Sequence, residues 1–127
     1  MRKAVFPLLA AILFANGGVA LADARLMTAK PADGATATNV RALSLSFSEP
    51  VVDKASGIDL VMTSMPGMAG HQPMKVSGFQ TVLSADGRVL SVALPRALPA
   101  GTYSLGWHVV AANGGAKSEG KTVFSVR

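Results

Sequence analysis

Soft side chains recur at a fixed interval in the stretch MTSMPGMAGHQPM, residues 62–74. A thioether or an imidazole stands at every third position, namely Met62, Met65, Met68, His71 and Met74. When the N-terminal leader described below is set aside, Met27 is the only methionine outside this stretch. Such a concentration of one residue type needs a reason, either in packing or in chemistry.

Packing is the simpler explanation, because methionine fills irregular gaps in cores and a spacing of three can follow one side of a helix. However, Pro66, Gly67, Gly70 and Pro73 lie between the soft residues. In a helix interior, proline costs about 3 kcal/mol and glycine about 1 kcal/mol relative to alanine. The sequence therefore predicts a surface loop for residues 65–74. Exposed thioethers in a loop make a poor core and are open to oxidation.

The chemical explanation is a site for a soft metal ion. Thioethers select soft ions such as Cu(I), and imidazole also suits copper. The chain has no cysteine, so methionine is its only source of soft sulfur ligands. We predict that three or four of the five soft residues converge on Cu(I), and that Ag(I) binds as a surrogate. Met62 stands at the end of a predicted strand, and for this residue an orientation into the core is the alternative.

Two other uses of the methionines remain open. Adaptable methionine surfaces bind proteins, so the chain could be an interaction module whose loop docks a partner. Methionine oxidation to the sulfoxide is reversible, so the loop could also report oxidants. Binding of a monovalent copper ion separates the metal hypothesis from both.

The N-terminus has the features of a secretory signal peptide. Two basic residues precede an apolar run over residues 4–14, and the segment ends in Ala20-Leu21-Ala22. We predict residues 1–22 as the signal peptide, with cleavage after Ala24 as the alternative, and residues 23–127 as one exported domain. The apolar run is shorter than the 20 or so residues of a membrane span. The predicted location is the periplasm, without stable membrane insertion.

Charge and motif patterns exclude two classes of function. Without the leader, ten Lys and Arg face seven Asp and Glu, a net charge of +3. The basic residues are scattered and are not interleaved with aromatics, so we predict no nucleic-acid binding. No paired carboxylates and no nucleophile–base spacing are evident, so we predict that the protein is not an enzyme.

Apolar residues alternate with polar ones along most of the remaining sequence. Leu43, Leu45 and Phe47 alternate with serines, and the longest series runs from Tyr103 to Val109. Asp86-Gly87 between two apolar runs is typical of a β-hairpin turn. The pattern predicts an all-β domain of about seven short strands, either a β-sandwich or a Greek-key barrel. Tyr103 and Trp107 are the predicted core anchors.

Four segments together resemble the periplasmic copper-resistance CopC family. They are Leu26 with Pro31-Ala32-Asp33-Gly34, the strand end Leu45-Ser46-Phe47-Ser48-Glu49-Pro50, the strand start Leu98-Pro99-Ala100-Gly101-Thr102-Tyr103 followed by Trp107, and the methionine-rich segment from Leu60 to Met74. The resemblance covers nearly all of residues 23–127. It implies an immunoglobulin-like Greek-key β-sandwich. It also implies copper binding in the periplasm and transfer to a membrane copper transporter or another periplasmic copper protein.

The sequence departs from the family pattern at the positions that typically bind Cu(II). Members of the family typically hold Cu(II) with an N-terminal histidine and an Asp-x-His motif after the tryptophan strand. Here the corresponding positions are Asp23 and Asn113-Gly114-Gly115, so we predict that the Cu(II) site is absent and that Cu(I) alone binds. The segment between Met68 and His71 is one residue longer than the family pattern. His108 follows Trp107 on a strand and is predicted to point to the opposite face.

Overall fold

The computed structural model describes residues 23–67 and 72–127. The described residues form nine β-strands and one short 3₁₀ helix at Asp53–Ala55. The strands are β1 (Leu26–Lys30), β2 (Thr36–Ala37), β3 (Ala42–Phe47), β4 (Gly57–Ser64), β5 (Met74–Val76), β6 (Gln80–Leu83), β7 (Val89–Ala93), β8 (Gly101–Val110) and β9 (Lys117–Val126). Within these ranges no helix is long and apolar enough to cross a bilayer. The predicted signal peptide lies outside the described residues.

The strands form two sheets that enclose one core. One sheet has the order β1-β3-β7-β6, and the other has the order β2-β9-β8-β4-β5. Every pairing among the described strands is antiparallel except that of β2 with β9. The all-β sandwich predicted from the alternation is confirmed. Strands β2 and β5 were not foreseen, because two or three residues are too few to show a period of two.

The core lies where the alternating apolar residues of both sheets meet. Along β8, buried and half-buried residues alternate without interruption over ten positions. Tyr103 is fully buried and stacks on Phe124, with ring centroids 5.5 Å apart. Trp107 contacts Phe47 edge to face, with centroids 5.3 Å apart. Both predicted core anchors are confirmed, and such aromatic pairs add to the stabilisation from area burial.

The predicted hairpin turn at Asp86-Gly87 joins β6 and β7. Gly87 has φ of 76°, a left-handed conformation that favours glycine. One carboxylate oxygen of Asp86 accepts hydrogen bonds from the Ser84 hydroxyl and from the Arg88 backbone N–H. These two bonds, the hydroxyl bond foremost, lower the pKa of Asp86 below its usual value.

Candidate metal centre

The two ends of the methionine-rich segment belong to paired strands. Met62 lies near the end of β4, Met74 begins β5, and the two residues are direct partners in the antiparallel ladder. Side chains at directly paired positions lie on the same face of a sheet. The loop predicted for residues 65–74 therefore ends one residue early. The β4–β5 ladder closes the segment into a hairpin whose connection runs over residues 65–73.

Met62 and Met74 differ sharply in burial. Only 4% of Met62 is exposed, whereas Met74 is 49% exposed. Met62 packs on Gly101, because its Cε and Cγ atoms lie 3.3 and 3.6 Å from where a side chain at residue 101 would begin. Of the two orientations left open for Met62, the structure shows the one into the core. Met74 lies on the edge strand of the sheet, with about half of the residue exposed to solvent.

Both thioether residues line one cleft of about 350 Å³. The other wall of the cleft is the segment 95–99, which follows β7. A hydrogen bond holds this segment in place, because the Leu98 N–H donates to the Val40 carbonyl over 2.9 Å. Tyr103 fixes the same wall, because its hydroxyl donates to the Pro99 carbonyl over 2.6 Å. Burial raises the pKa of Tyr103 above its ordinary value, so the phenol keeps its donor proton further into the alkaline range.

Met65 lies in a different place from the other two. The strand register shifts between Met62 and Ser64, and the Thr63 hydroxyl donates to the Thr102 carbonyl over 3.2 Å. Met65 is half-buried against the core and lines a separate cavity of about 290 Å³ beside Gly101. The structure thus brings Met62 and Met74 together and places Met65 apart from them. Met68 and His71 lie outside the described residues.

Asp23 lies beside residue 116, which directly follows the segment 113–115. One Asp23 carboxylate oxygen accepts a hydrogen bond from the Ala116 backbone N–H over 2.8 Å. The side-chain oxygen of Asn113 accepts another from the Gly115 N–H over 2.9 Å. Both side-chain oxygens therefore accept hydrogen bonds from backbone N–H groups, those of residues 115 and 116. In the described ranges, no group of three or more His, Asp or Glu side chains could hold a metal ion.

His108 lies on the far side of the second sheet from the cleft. It points away from Trp107, as the sequence predicted, and its direct partners on the neighbouring strands are Gly57 and Glu119. The imidazole covers Gly57, with Cε1 2.9 Å from where a β-carbon at residue 57 would lie. Lys117 forms an ion pair with Glu119 over 3.5 Å on the same face. His108 therefore belongs to a charged outer surface and not to the methionine cleft.

Sequence reasoning missed the residues that complete the cleft. Lys75 and Arg96 are exposed and line it from β5 and from the segment 95–99 respectively. The sequence does not indicate that Lys75 and Arg96 are neighbours. They are about twenty residues apart along the chain, and their elements come together only in the folded sandwich. The cleft combines an accessible thioether with a positively charged rim.

Comparison with known proteins gives a consistent result. The CopC domain family matches residues 26–127. Copper resistance protein C of Xanthomonas campestris pv. juglandis is 40% identical over 108 residues, which cover 85% of this chain and 83% of that protein. Its counterpart in Pseudomonas syringae pv. tomato is 36% identical over 107 residues, covering 80% and 82%. The chain belongs to the CopC domain family.

A solved structure extends the similarity to three dimensions. The crystal structure of PcoC, a methionine-rich copper resistance protein from Escherichia coli, matches with a TM-score of 0.75 at 29% sequence identity. The match covers 84% of this chain and all of the PcoC chain. The two-sheet sandwich described above is therefore the fold of a solved relative over its whole length.

Proposed function

We propose that this protein is a non-enzymatic copper-resistance protein of the periplasm, which holds Cu(I) in its methionine-rich hairpin and passes the ion on. Residues 1–22 are its signal peptide. The observation that carries the proposal is the pairing of Met62 with Met74, which closes residues 65–73 into a hairpin with an accessible thioether at its base. Family membership and the relatives' names as copper resistance proteins support it.

The proposed ligands are drawn from Met65, Met68, His71 and Met74. Met74 is the most exposed of the described members. Met65 is half-buried and packs against the core, so its sulfur has to swing out to join the others. Met62 is the least favourable of the five candidates, because moving its side chain out of the core would remove its packing against Gly101.

Neutral thioethers suit an ion that must be both held and released. They carry no proton to lose, so their affinity depends little on pH, and they do not form disulfides in an oxidising compartment. Each can be exchanged singly for a ligand on another protein. The same softness makes Ag(I) a surrogate ion.

The proposal includes the absence of the family's Cu(II) site. Two observations support it: Asp23 and Asn113 stand where histidine and aspartate are typical, and their oxygens are engaged with backbone N–H groups. A carboxylate and an amide lack the imidazole nitrogen that Cu(II) favours.

Competition titration tests the function. The chain is exported by an expression host, purified from the periplasm, and titrated with Cu(I) against a colorimetric chelator under anaerobic, reducing conditions. Cu(II) is titrated in parallel and followed by Trp107 fluorescence. The proposal expects one tightly held Cu(I) ion and no specific Cu(II) binding. Failure to compete for Cu(I) would refute the metal function and leave the docking module and the oxidant reporter as the alternatives, and tight Cu(II) binding would refute the Cu(I)-only claim.

A further inference from the structure

The cleft beside Met62 and Met74 has a charge pattern that metal binding does not use. Lys75 lines it from β5 and Arg96 lines it from the segment 95–99, and both are exposed. None of the residues that line the cleft is an aspartate or a glutamate. In the described part of the chain the single ion pair joins Lys117 and Glu119, on the outer face of the sheet. The two cations at the cleft thus have no internal counter-charge there.

Among the described residues, the backbone beside the cleft also has an unpaired edge. β5 is the outermost strand of its sheet and pairs only with β4 among the described strands. An outermost strand presents unpaired N–H and C=O groups that can accept a strand from another chain. Extended peptides bind sheet edges in this way, with main-chain hydrogen bonds giving affinity and adjacent pockets giving specificity.

The interior of the cleft favours an apolar side chain. Leu98 and Met62 are buried at its base, and Pro95, Pro99 and Val76 contribute further apolar lining. A volume of about 350 Å³ accommodates one long side chain. Because Met74 lines the same cleft, a side chain seated there lies beside the accessible thioether.

We propose that the cleft and the free edge of β5 form the docking site for an extended acidic segment of the protein that exchanges copper with this one. The segment adds to β5, places its carboxylates near Lys75 and Arg96, and inserts a methionine side chain beside Met74. This inference rests on the proposed function, because it supplies the partner for metal transfer. A second copy of this chain is a poorer occupant, since its own net charge without the leader is +3.

Selection from a peptide library tests the docking site without assuming a partner. The exported, processed chain is immobilised and used to select from a phage-displayed library of random peptides about 12 residues long, enough to pair with an edge strand. The enriched peptides are synthesised, titrated calorimetrically, and located on the protein by amide chemical-shift changes. We expect enriched peptides that are net negative and contain methionine, with shifts concentrated in β5 and in residues 95–99.

Charge reversal provides the matched comparison. The double variant Lys75→Glu/Arg96→Glu is expected to weaken peptide binding by about tenfold or more, because two complementary charges become repulsive. The control Lys54→Glu/Lys121→Glu makes the same change in net charge at exposed positions that do not line the cleft, and is expected to change affinity by no more than about twofold. Equal loss in both variants would overturn the proposal, since it would show a response to net charge alone.

Other results would also overturn the proposal. They are no enrichment, enrichment of uncharged peptides, a footprint away from β5, and self-association of the chain through the cleft. Cu(I) affinity is measured on the same variants and is expected not to fall, because carboxylates beside Met74 do not repel a cation. If the chain held no Cu(I) but still selected acidic peptides at the cleft, the metal function would fail while the docking surface stood, so the two failures can be distinguished.

Discussion

Met62 and Met74 are direct partners on β4 and β5, but their burial predicts opposite consequences of substitution. Met62 is 4% exposed and packs on Gly101, so truncating it leaves a cavity in the core. Methionine-to-alanine changes in cores cost about 2–5 kcal/mol, whereas a leucine of similar volume costs less than about 1.5 kcal/mol. For a domain of this size, Met62→Ala should lower the Tm by about 8–20 °C and Met62→Leu by no more than about 6 °C.

Met74 should show the reverse. Half of its side chain faces solvent, so Met74→Leu should change the free energy of unfolding by no more than about 0.5 kcal/mol. The same change removes a proposed ligand, and Cu(I) affinity should fall by about tenfold or more, which corresponds to about 1.4 kcal/mol.

Two measurements on each variant separate the roles. Thermal unfolding of the metal-free protein gives the change in stability, and chelator competition gives the change in Cu(I) affinity. Met62→Leu should retain the parent's affinity. If Met62→Leu lost Cu(I) as severely as Met74→Leu does, Met62 would be a ligand and the assignment of its sulfur to the core would be wrong. If Met74→Leu kept full affinity, the metal site would lie elsewhere.

Three further predictions concern the framework. Tyr103→Phe removes the hydrogen bond to Pro99 and should lower the free energy of unfolding by about 1 kcal/mol, measured with denaturant. The variant should also lose less stability than the parent as the pH is raised into the alkaline range. The sign follows because burial raises the folded-state pKa of Tyr103: its contribution is complete below the unfolded value of 10.0 and is lost as the pH rises through the folded value. Gly120→Ala sets a β-carbon 2.6 Å from the Trp107 ring, so it should cost about 1–3 kcal/mol in the same assay and alter the tryptophan emission. His108→Ala should leave Cu(I) affinity unchanged by chelator competition, since the imidazole is on the outer face; a loss of affinity would contradict that placement.

The sequence predicts the central strands well, because each has one buried face. In β3 and β8, alternate residues enter the core, and the period of two is visible over six to ten positions. The hairpin at Asp86-Gly87 is also predictable, because the turn requires a left-handed residue that glycine supplies. These features depend on local pattern alone.

The arrangement of the methionines is not predictable in the same way. Spacing of three along the sequence gives five candidate ligands and leaves the direction of Met62 open, whereas the structure sends Met62 into the core, leaves Met74 at the edge and places Met65 in another cavity. The exposed position of Met74 depends on the three-residue strand β5, which is too short and too exposed to leave a periodic signal. The wall formed by residues 95–99 likewise depends on long-range packing.

Methyl NMR of methionine tests the central claim most directly, because each thioether carries one methyl group next to the sulfur that would bind the ion. The exported chain is labelled with ¹³C at the methionine methyls, assigned by single substitutions, and titrated with Ag(I) and then with Cu(I) under reducing conditions. We expect the Met65, Met68 and Met74 signals to shift together and saturate at one ion per chain, while those of Met27 and Met62 stay near their metal-free positions. If no methyl signal shifts, or if only that of Met27 does, the methionine-rich hairpin does not hold the ion.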